Sequence, residues 1–233
     1  MQPGVTRPGL SPTTMPGMEL LSETWVYMVE NQDRVRDALM VHIGLSLAAL
    51  TLAMLIFIPL GVLASRGGSV TTTIISVVAA FRVVPSLAVI LLLLPFFGLG
   101  WRPALVALTV LAGPPLVLNT DAGIRGVDPA TLEAATGLGL TGRQRFWRVT
   151  MPLALPVIIA GVRTAAIEVI ASATLASFVG AGGLGDFITS GVTLLDKPTL
   201  LTGGILVTLL ALSAEVGLSL LERRVSPPRT NPA

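Results

Sequence analysis

Residues 133–152 read EAATGLGLTGRQRFWRVTMP and lie in the longest polar insertion of an otherwise apolar chain. A handful of residues is enough to join two packed helices, whereas this insertion runs from residue 121 to residue 152. Leu132–Ala135 favours a helix, glycines then interrupt it, and a basic amphipathic segment, Arg143–Arg148, follows. The pattern predicts helix, turn, helix, beginning at Asp128-Pro129, where an acidic cap precedes a proline in the first turn.

The segments on either side of the insertion are long and apolar. Of the 233 residues, 52% are hydrophobic and 12% are charged, about half the charged fraction of a soluble domain. Windows such as Ile43–Ala64, Ile74–Gly98 and Leu200–Leu221 approach or exceed the roughly 20 residues that a helix needs to cross a bilayer. The chain is therefore predicted to be an all-α polytopic membrane protein. About five spans are expected, at 39–64, 72–97, 102–122, 153–178 and 199–221.

The basic residues indicate the orientation of the spans, because short basic loops stay in the cytoplasm. If the insertion is cytoplasmic, eight basic residues lie on the cytoplasmic side of the membrane and five lie on the outer side. The inner set is Arg66, Arg125, Arg143, Arg145, Arg148, Arg223, Arg224 and Arg229; the outer set is Arg7, Arg34, Arg36, Arg102 and Lys197. This bias predicts an N-terminus outside and a C-terminus inside.

The composition along the chain predicts three segments and argues against a nucleic-acid partner and a metal site. We expect 1–37 to be an extracytoplasmic segment that is disordered over 1–17 and forms a surface helix over 19–37. We expect 38–222 to be the transmembrane domain and 223–233 to be a cytoplasmic tail. The net charge of +2 does not suggest a nucleic-acid partner. Cysteine is absent and His42 is the only histidine, so no metal site is expected. His42 is predicted to anchor the first span at the interface.

The insertion resembles the EAA motif of ABC importer permeases. Glu133-Ala134-Ala135 is followed after three residues by Gly139, and after nine more by Val149-x-Met151-Pro152, where Val and Met replace the usual Ile and Leu. In that family the motif forms coupling helices that dock into a groove of a cytoplasmic ATPase. The resemblance therefore implies a coupling loop over 124–152. Its expected ATPase-coupling residues are Glu133, Ala134, Ala135, Gly139, Arg143 and Pro152.

The same resemblance implies a methionine-importer-permease-like core and a set of partners. These are two ABC ATPase subunits, a second permease copy or a paralogous permease, and an extracytoplasmic substrate-binding protein. The complex is expected in the bacterial inner membrane. The chain itself is expected to be no enzyme and to hold no cofactor, with ATP and Mg bound by the ATPase. No catalytic residues are expected.

Several stretches resemble the osmoprotectant permeases, which import glycine betaine, carnitine, choline and related quaternary amines. They are 58–63, 84–88, 124–129, 153–156 and, most extensively, 173–186. One Tyr and three Trp offer no aromatic cage for a quaternary amine within a span, so selectivity is expected in the binding protein. Permeases for methionine or another small solute share parts of the pattern and stay an alternative. A stand-alone secondary transporter is a further alternative, which would leave the 133–152 insertion without a role.

Two kinds of residue are candidates for the translocation path. Arg82 and Glu168 lie inside apolar windows, where an ionisable group costs about 2.5–3.5 kcal/mol. They are expected to face the path or to pair across a dimer, although Arg82 has the alternative of snorkelling to the inner interface. The second kind is a glycine turn expected to line the outer gate: Gly180, Gly182, Gly183 and Gly185. Its GxGxxG spacing does not predict a nucleotide site, because no strand precedes it.

Overall fold

The computed structural model describes residues 16–225, and every element in that range is helical. The order along the chain is α1 (Pro16–Glu30), α2 (Gln32–Ala64), α3 (Gly68–Phe81), α4 (Ser86–Leu92), α5 (Leu94–Phe97), α6 (Trp101–Leu111), α7 (Gly113–Arg125), α8 (Pro129–Gly137), α9 (Gly142–Arg145), a π-helical turn (Phe146–Thr150), α10 (Met151–Ala173), a 3-10 helix (Thr174–Val179), α11 (Gly185–Leu194) and α12 (Lys197–Val225).

Four helical stretches are long and apolar enough to cross a membrane. They are Gln32–Ala64, Trp101–Arg125, Gly142–Val179 and Lys197–Val225, and they match four of the five predicted spans. The remaining predicted span, 72–97, is not one rod, since α3 and the α4–α5 pair are bent by 96°. Pro85 explains the break, because proline lacks an N–H and disfavours helical backbone at the residue before it.

The stretch Trp101–Arg125 forms the centre of the bundle. Of its most apolar window, 72% is buried, against 6% for Lys197–Val225. Helix α2 packs on one side of this stretch, where Gly61 contacts Thr120. Helix α10 packs on another side, where Gly161 contacts Asn119. A Cβ built on Gly161 would come within 2.6 Å of the Asn119 Cβ, so only glycine permits this approach. Small residues at such crossings are typical of packed membrane helices.

Two expectations for the N-terminal region are corrected. Residues 16–30 form a helix that packs against α12, so the predicted disorder of 1–17 is wrong at residues 16 and 17, and 1–15 lie outside the described residues. The predicted surface helix over 19–37 is present but is broken at Asn31. His42 is 1% exposed and its Nε2 donates to the Ile170 carbonyl at 3.1 Å. It is a core residue and not an interfacial anchor, because helix α10 covers it.

Helix contacts separate two ends of the bundle. At one end Arg125 donates to the Ala64 carbonyl at 3.1 Å, and α8 and α9 follow directly in the chain. At the other end the Gly100 amide donates to the Val179 carbonyl at 2.6 Å, and Gly183 packs on His42. The coupling loop and the glycine turn therefore lie at opposite ends, as the alternating directions of the predicted spans require.

Candidate coupling loop and path residues

Helix α8 has a defined start and a defined stop. The Asp128 carboxylate accepts from the Ala130 amide at 3.0 Å, and Pro129 occupies the first turn. At the other end the Leu140 amide donates to the Ala135 carbonyl at 3.2 Å, across a left-handed residue, Gly139, with φ of 80°. This is a Schellman cap, for which glycine is favoured because it has no Cβ. The glycine of the motif is thus explained by backbone conformation.

Helix α9 is fixed to α8 by side chains. Thr141 and Gln144 form a reciprocal capping box, and the Arg145 guanidinium donates to the Thr136 hydroxyl at 2.9 Å. The Thr-x-x-Gln spacing is a signal of a helix start that the sequence already carries. With both halves capped and linked, the coupling loop is a compact helical hairpin and not a slack connector.

A widened turn joins the hairpin to the membrane. Phe146–Thr150 is π-helical, and the Met151 amide donates to the Phe146 carbonyl five residues earlier. Pro152 has no N–H, and in a regular helix its ring would clash with the Arg148 carbonyl. The extra residue in the π turn accommodates this proline. As a result, one helical stretch runs from Gly142 to Val179.

The predicted coupling residues do not all point outward. Exposed side chains or backbone are found at Glu133, Ala134, Gly139, Arg143 and Pro152, whereas Ala135 is buried against its own chain. Glu133 lines a shallow, open cavity that it shares with Thr136 and Arg145. The docking role of these residues stays a prediction, and for Ala135 the structure supplies a packing reason for a small side chain.

Two exposed apolar side chains, one on the hairpin and one on the π-helical turn that follows it, were not among the predicted coupling residues. Leu138 is 81% exposed and Trp147 is 61% exposed. Exposed aromatic and aliphatic side chains beside charged ones are typical of a protein interface. Both residues lie within the 133–152 motif, and neither is needed to form the helices. An apolar side chain at such a position was the sequence signal that could have identified them.

The two charges predicted for the path lie on the surface of this chain. Arg82 is exposed at the bend between α3 and α4, and Glu168 is exposed on α10. No direct ion pair between them occurs in the described part of the chain. A path-lining role for either residue stays a prediction.

The glycine turn packs inward for most of its length. Gly180, Gly182 and Gly183 have left-handed backbone, and Gly183 and Gly185 are buried. A Cβ on Gly183 would lie 3.3 Å from the His42 Nδ1, and one on Gly185 would overlap the Thr174 carbonyl. Close packing thus accounts for these two glycines, and a gate-lining role stays a prediction. No strand occurs among residues 16–225, so the GxGxxG spacing has no dinucleotide-binding context here.

Beyond the glycine turn, α11 is stabilised by the N-terminal helices. The Tyr27 ring meets the Phe187 ring edge to face at 6.4 Å, and the Arg34 guanidinium lies 4.9 Å over the same ring. Partial burial raises the pKa of the neighbouring Asp186 carboxyl, an effect that the Arg34 charge opposes. The sequence did not predict α11, because its glycines and β-branched residues are poor helix formers.

A second charged cluster joins α10 to α12. Arg163 lies 3.0 Å from a Glu222 oxygen and 3.6 Å from a Glu215 oxygen. The structure thus pairs one basic residue of α10 with two acidic residues of α12. The separation of more than fifty positions left no sequence signal for that pairing.

Comparison with known proteins finds a family model and several relatives that match this chain. A family model described as "Binding-protein-dependent transport system inner membrane component" matches residues 57–227. The carnitine transport permease protein OpuCB of Listeria monocytogenes is 44% identical over 186 residues, which cover 80% of this chain and 85% of the relative. The choline transport system permease protein OpuBB of Bacillus subtilis (strain 168) is 42% identical, with 80% and 86% covered.

Solved structures agree with the fold. An inward-facing structure of the MetNI methionine ABC transporter matches with a TM-score of 0.74 at 21% identity, covering 92% of this chain and all of the matched chain. The predicted methionine-importer-permease-like core is therefore confirmed, and at this identity the likeness concerns the fold alone.

Proposed function

This chain belongs to the family of binding-protein-dependent transport system inner membrane components, and from that premise we propose that its importer carries osmoprotectants: glycine betaine, carnitine, choline or related quaternary amines. As a member of the family it is a multi-pass ABC permease subunit that is not itself catalytic. Its function requires an ATPase and a substrate-binding protein. The substrate class is supported by relatives named for carnitine and choline transport.

The coupling loop is the contact through which the ATPase moves this subunit in the proposed mechanism. The observation that carries this proposal is the doubly capped hairpin, which exposes Glu133, Leu138 and Trp147 and continues without a break into α10. A rigid hairpin passes a displacement to the membrane helices, whereas a slack loop absorbs it. Alternating access then follows from rigid-body tilting of helices around the path.

The proposed assembly contains two ATPase subunits, which bind ATP and Mg, and a second permease, either another copy or a paralogue. The coupling loop and the C-terminus lie in the cytoplasm and the N-terminus lies outside. The outer end, with the glycine turn, faces the substrate-binding protein. Support for the orientation comes from the eight-to-five excess of basic residues at the coupling end.

A pull-down tests the coupling role. Glu133→Arg reverses a charge on the exposed hairpin, and we expect affinity for the cognate ATPase to fall at least about tenfold, since placing like charges together at an interface costs several kcal/mol. Glu23→Arg is the matched control, because Glu23 is also exposed but lies on α1. Equal binding by the two variants would remove the proposed role.

Uptake into proteoliposomes tests the substrate class. The complex of permease, ATPase and binding protein is expected to accumulate at least one quaternary amine when ATP is supplied. Accumulation of methionine or another amino acid instead, with no quaternary amine carried, would replace the proposed substrate class and leave the family unchanged.

A further inference from the structure

A small cavity lies between the 3-10 helix that follows α10 and helix α11. Gly185 lets these two elements approach each other, since a Cβ at this position would overlap the Thr174 carbonyl. The 3-10 helix belongs to the end of the bundle opposite the coupling loop, where the Val179 carbonyl accepts from the Gly100 amide. In the proposed topology the cavity therefore lies at the extracytoplasmic end of the chain.

The volume of the cavity limits what it can hold. It measures about 150 Å³, the size of an engineered protein cavity that stays dry and binds benzene. A trimethylammonium group has about the bulk of that ring. A helix of another chain is about 10–12 Å across and does not enter such a space. The cavity thus fits the ammonium end of a small quaternary amine and excludes a protein segment.

An aromatic ring forms part of the wall. Phe178 lines the cavity and is 58% exposed. Beside it are the aliphatic side chains of Leu175, Ile188 and Val192. The face of an aromatic ring attracts a cation that lies within about 6 Å of its centre. The aliphatic side chains suit the methyl groups that surround a quaternary nitrogen.

Three threonines complete the wall, and their hydroxyl hydrogens are already in use. Thr174 donates to the Ala171 carbonyl at 2.7 Å. Thr189 donates to the Gly185 carbonyl at 3.2 Å, and Thr193 donates to the Thr189 carbonyl at 2.7 Å. A hydroxyl has one hydrogen and two lone pairs, so each oxygen keeps the capacity to accept. Among the described residues that line the cavity, none is charged and no hydroxyl donor is left over.

We propose that this cavity is an ammonium subsite, which holds the positive group of a quaternary amine in the translocation path between the Phe178 ring and the threonine oxygens. The subsite rests on the proposed function and assigns residues to it. A wall of acceptors and one aromatic face is complementary to positive charge and offers nothing to an anion. A single ring, in place of a cage, keeps the cation weakly bound, as release along a path requires.

A cysteine reporter tests the subsite in the complete complex. Val192→Cys places a thiol on the cavity wall of a chain that has no cysteine of its own, and nanodiscs leave both sides of the membrane open to a maleimide. We expect choline, glycine betaine and carnitine each to slow the reaction of this thiol. The uncharged carbon analogue of choline, in which a tert-butyl group replaces the trimethylammonium, should not slow it at the same concentration.

Replacement of the ring tests the role of Phe178. In the Val192→Cys background, Phe178→Leu should raise the choline concentration that gives half-maximal protection by roughly fivefold, the scale of a cation–π contact. Phe178→Tyr keeps an aromatic face and should recover the protection. Because the Phe178 side chain is exposed, its replacement opens no core, and equal yields of assembly with the ATPase verify this. Phe178→Met replaces the leucine variant if that yield falls.

Leu194→Cys is the matched control for the reporter. Leu194 is also exposed on α11 but does not line the cavity, so its reaction with the maleimide should be the same with and without choline. Equal protection of the Val192→Cys thiol by choline and by the carbon analogue would show a cavity without preference for charge and would overturn the subsite. So would protection by none of the three amines, or protection that Phe178→Leu leaves unchanged.

ATP-driven uptake by the parent complex separates this inference from the proposed function. A parent that accumulates a quaternary amine, when none of these amines protects the Val192→Cys thiol, leaves the proposed function in place and overturns the subsite. A parent that accumulates no quaternary amine contradicts the proposed function, and with it the role of the subsite in the path.

Discussion

At the scale of single residues, Gly139 is where the coupling loop depends most on one amino acid. Its φ of 80° closes α8 with a Schellman cap, and a Cβ there would meet open space. Substitution is therefore opposed by backbone conformation and not by crowding. An L-residue in left-handed backbone costs about 1–2 kcal/mol.

We expect Gly139→Ala to weaken ATPase binding by roughly tenfold, since about 1.4 kcal/mol corresponds to that factor. Gly137→Ala is the matched control: Gly137 also has open space around it but has no positive φ. That change should leave binding unaltered or strengthen it, because alanine favours a helix. The affinity of each variant for the ATPase can be measured in nanodiscs. Equal affinities for the two variants would contradict a role of the Gly139 cap in ATPase binding.

His42 shows what a residue pattern cannot supply. An isolated histidine at the start of an apolar window suggests an interfacial anchor, but the side chain is buried and hydrogen-bonded to Ile170. Periodicity indicates that a helix crosses the membrane. It does not say which neighbour covers which side, because that depends on contacts between residues 128 positions apart.

At the scale of elements, the pairing of Arg163 with Glu215 and Glu222 links α10 to α12. Arg163→Met removes the cation that lies between Glu215 and Glu222, and we expect it to reduce the free energy of unfolding by about 1 kcal/mol, the scale of a partly exposed ion pair. Thermal unfolding in nanodiscs measures this. Adding Glu215→Gln and Glu222→Gln should recover part of the loss, and a single variant as stable as the parent would show that the pairing contributes nothing.

The bent helix pair over 68–97 is an element whose shape the sequence did not predict. The apolar run was predicted to form one span, whereas the structure has two helical parts bent by 96°. A proline removes one hydrogen bond and leaves the angle open. Packing of α4 against α6 and against the 3-10 helix Thr174–Val179 accompanies the bend, and such contacts have no signature in local sequence.

At the scale of the whole molecule, the sequence predicted the helical membrane class, four of the spans and the helix-turn-helix of the insertion. These follow from run length, charge bias and fixed motif spacing, which are local signals. The inward packing of Ala135, Gly183 and Gly185 comes from contacts within the folded chain. The candidate coupling residues were thus found by pattern, and their orientations only by structure.

The absence of cysteine from the chain allows a direct test of orientation. Single cysteines at Thr141, on the coupling loop, and at Thr193, on α11, place exposed thiols at opposite ends of the bundle. With a membrane-impermeant maleimide on spheroplasts, we expect Thr193→Cys to react at once. Thr141→Cys should react only after the membrane is opened. The reverse order would invert the proposed topology, and the cysteine-free parent sets the background.

The continuous helical stretch from Gly142 to Val179 also acts as a lever arm. With a rise of 1.5 Å per residue, Glu168 lies about 39 Å along it from Gly142. Each degree of tilt about the foot therefore swings Glu168 by about 0.7 Å. A modest rotation at the coupling loop would therefore move this part of α10 by a few ångströms as a rigid unit, with no helix unwound.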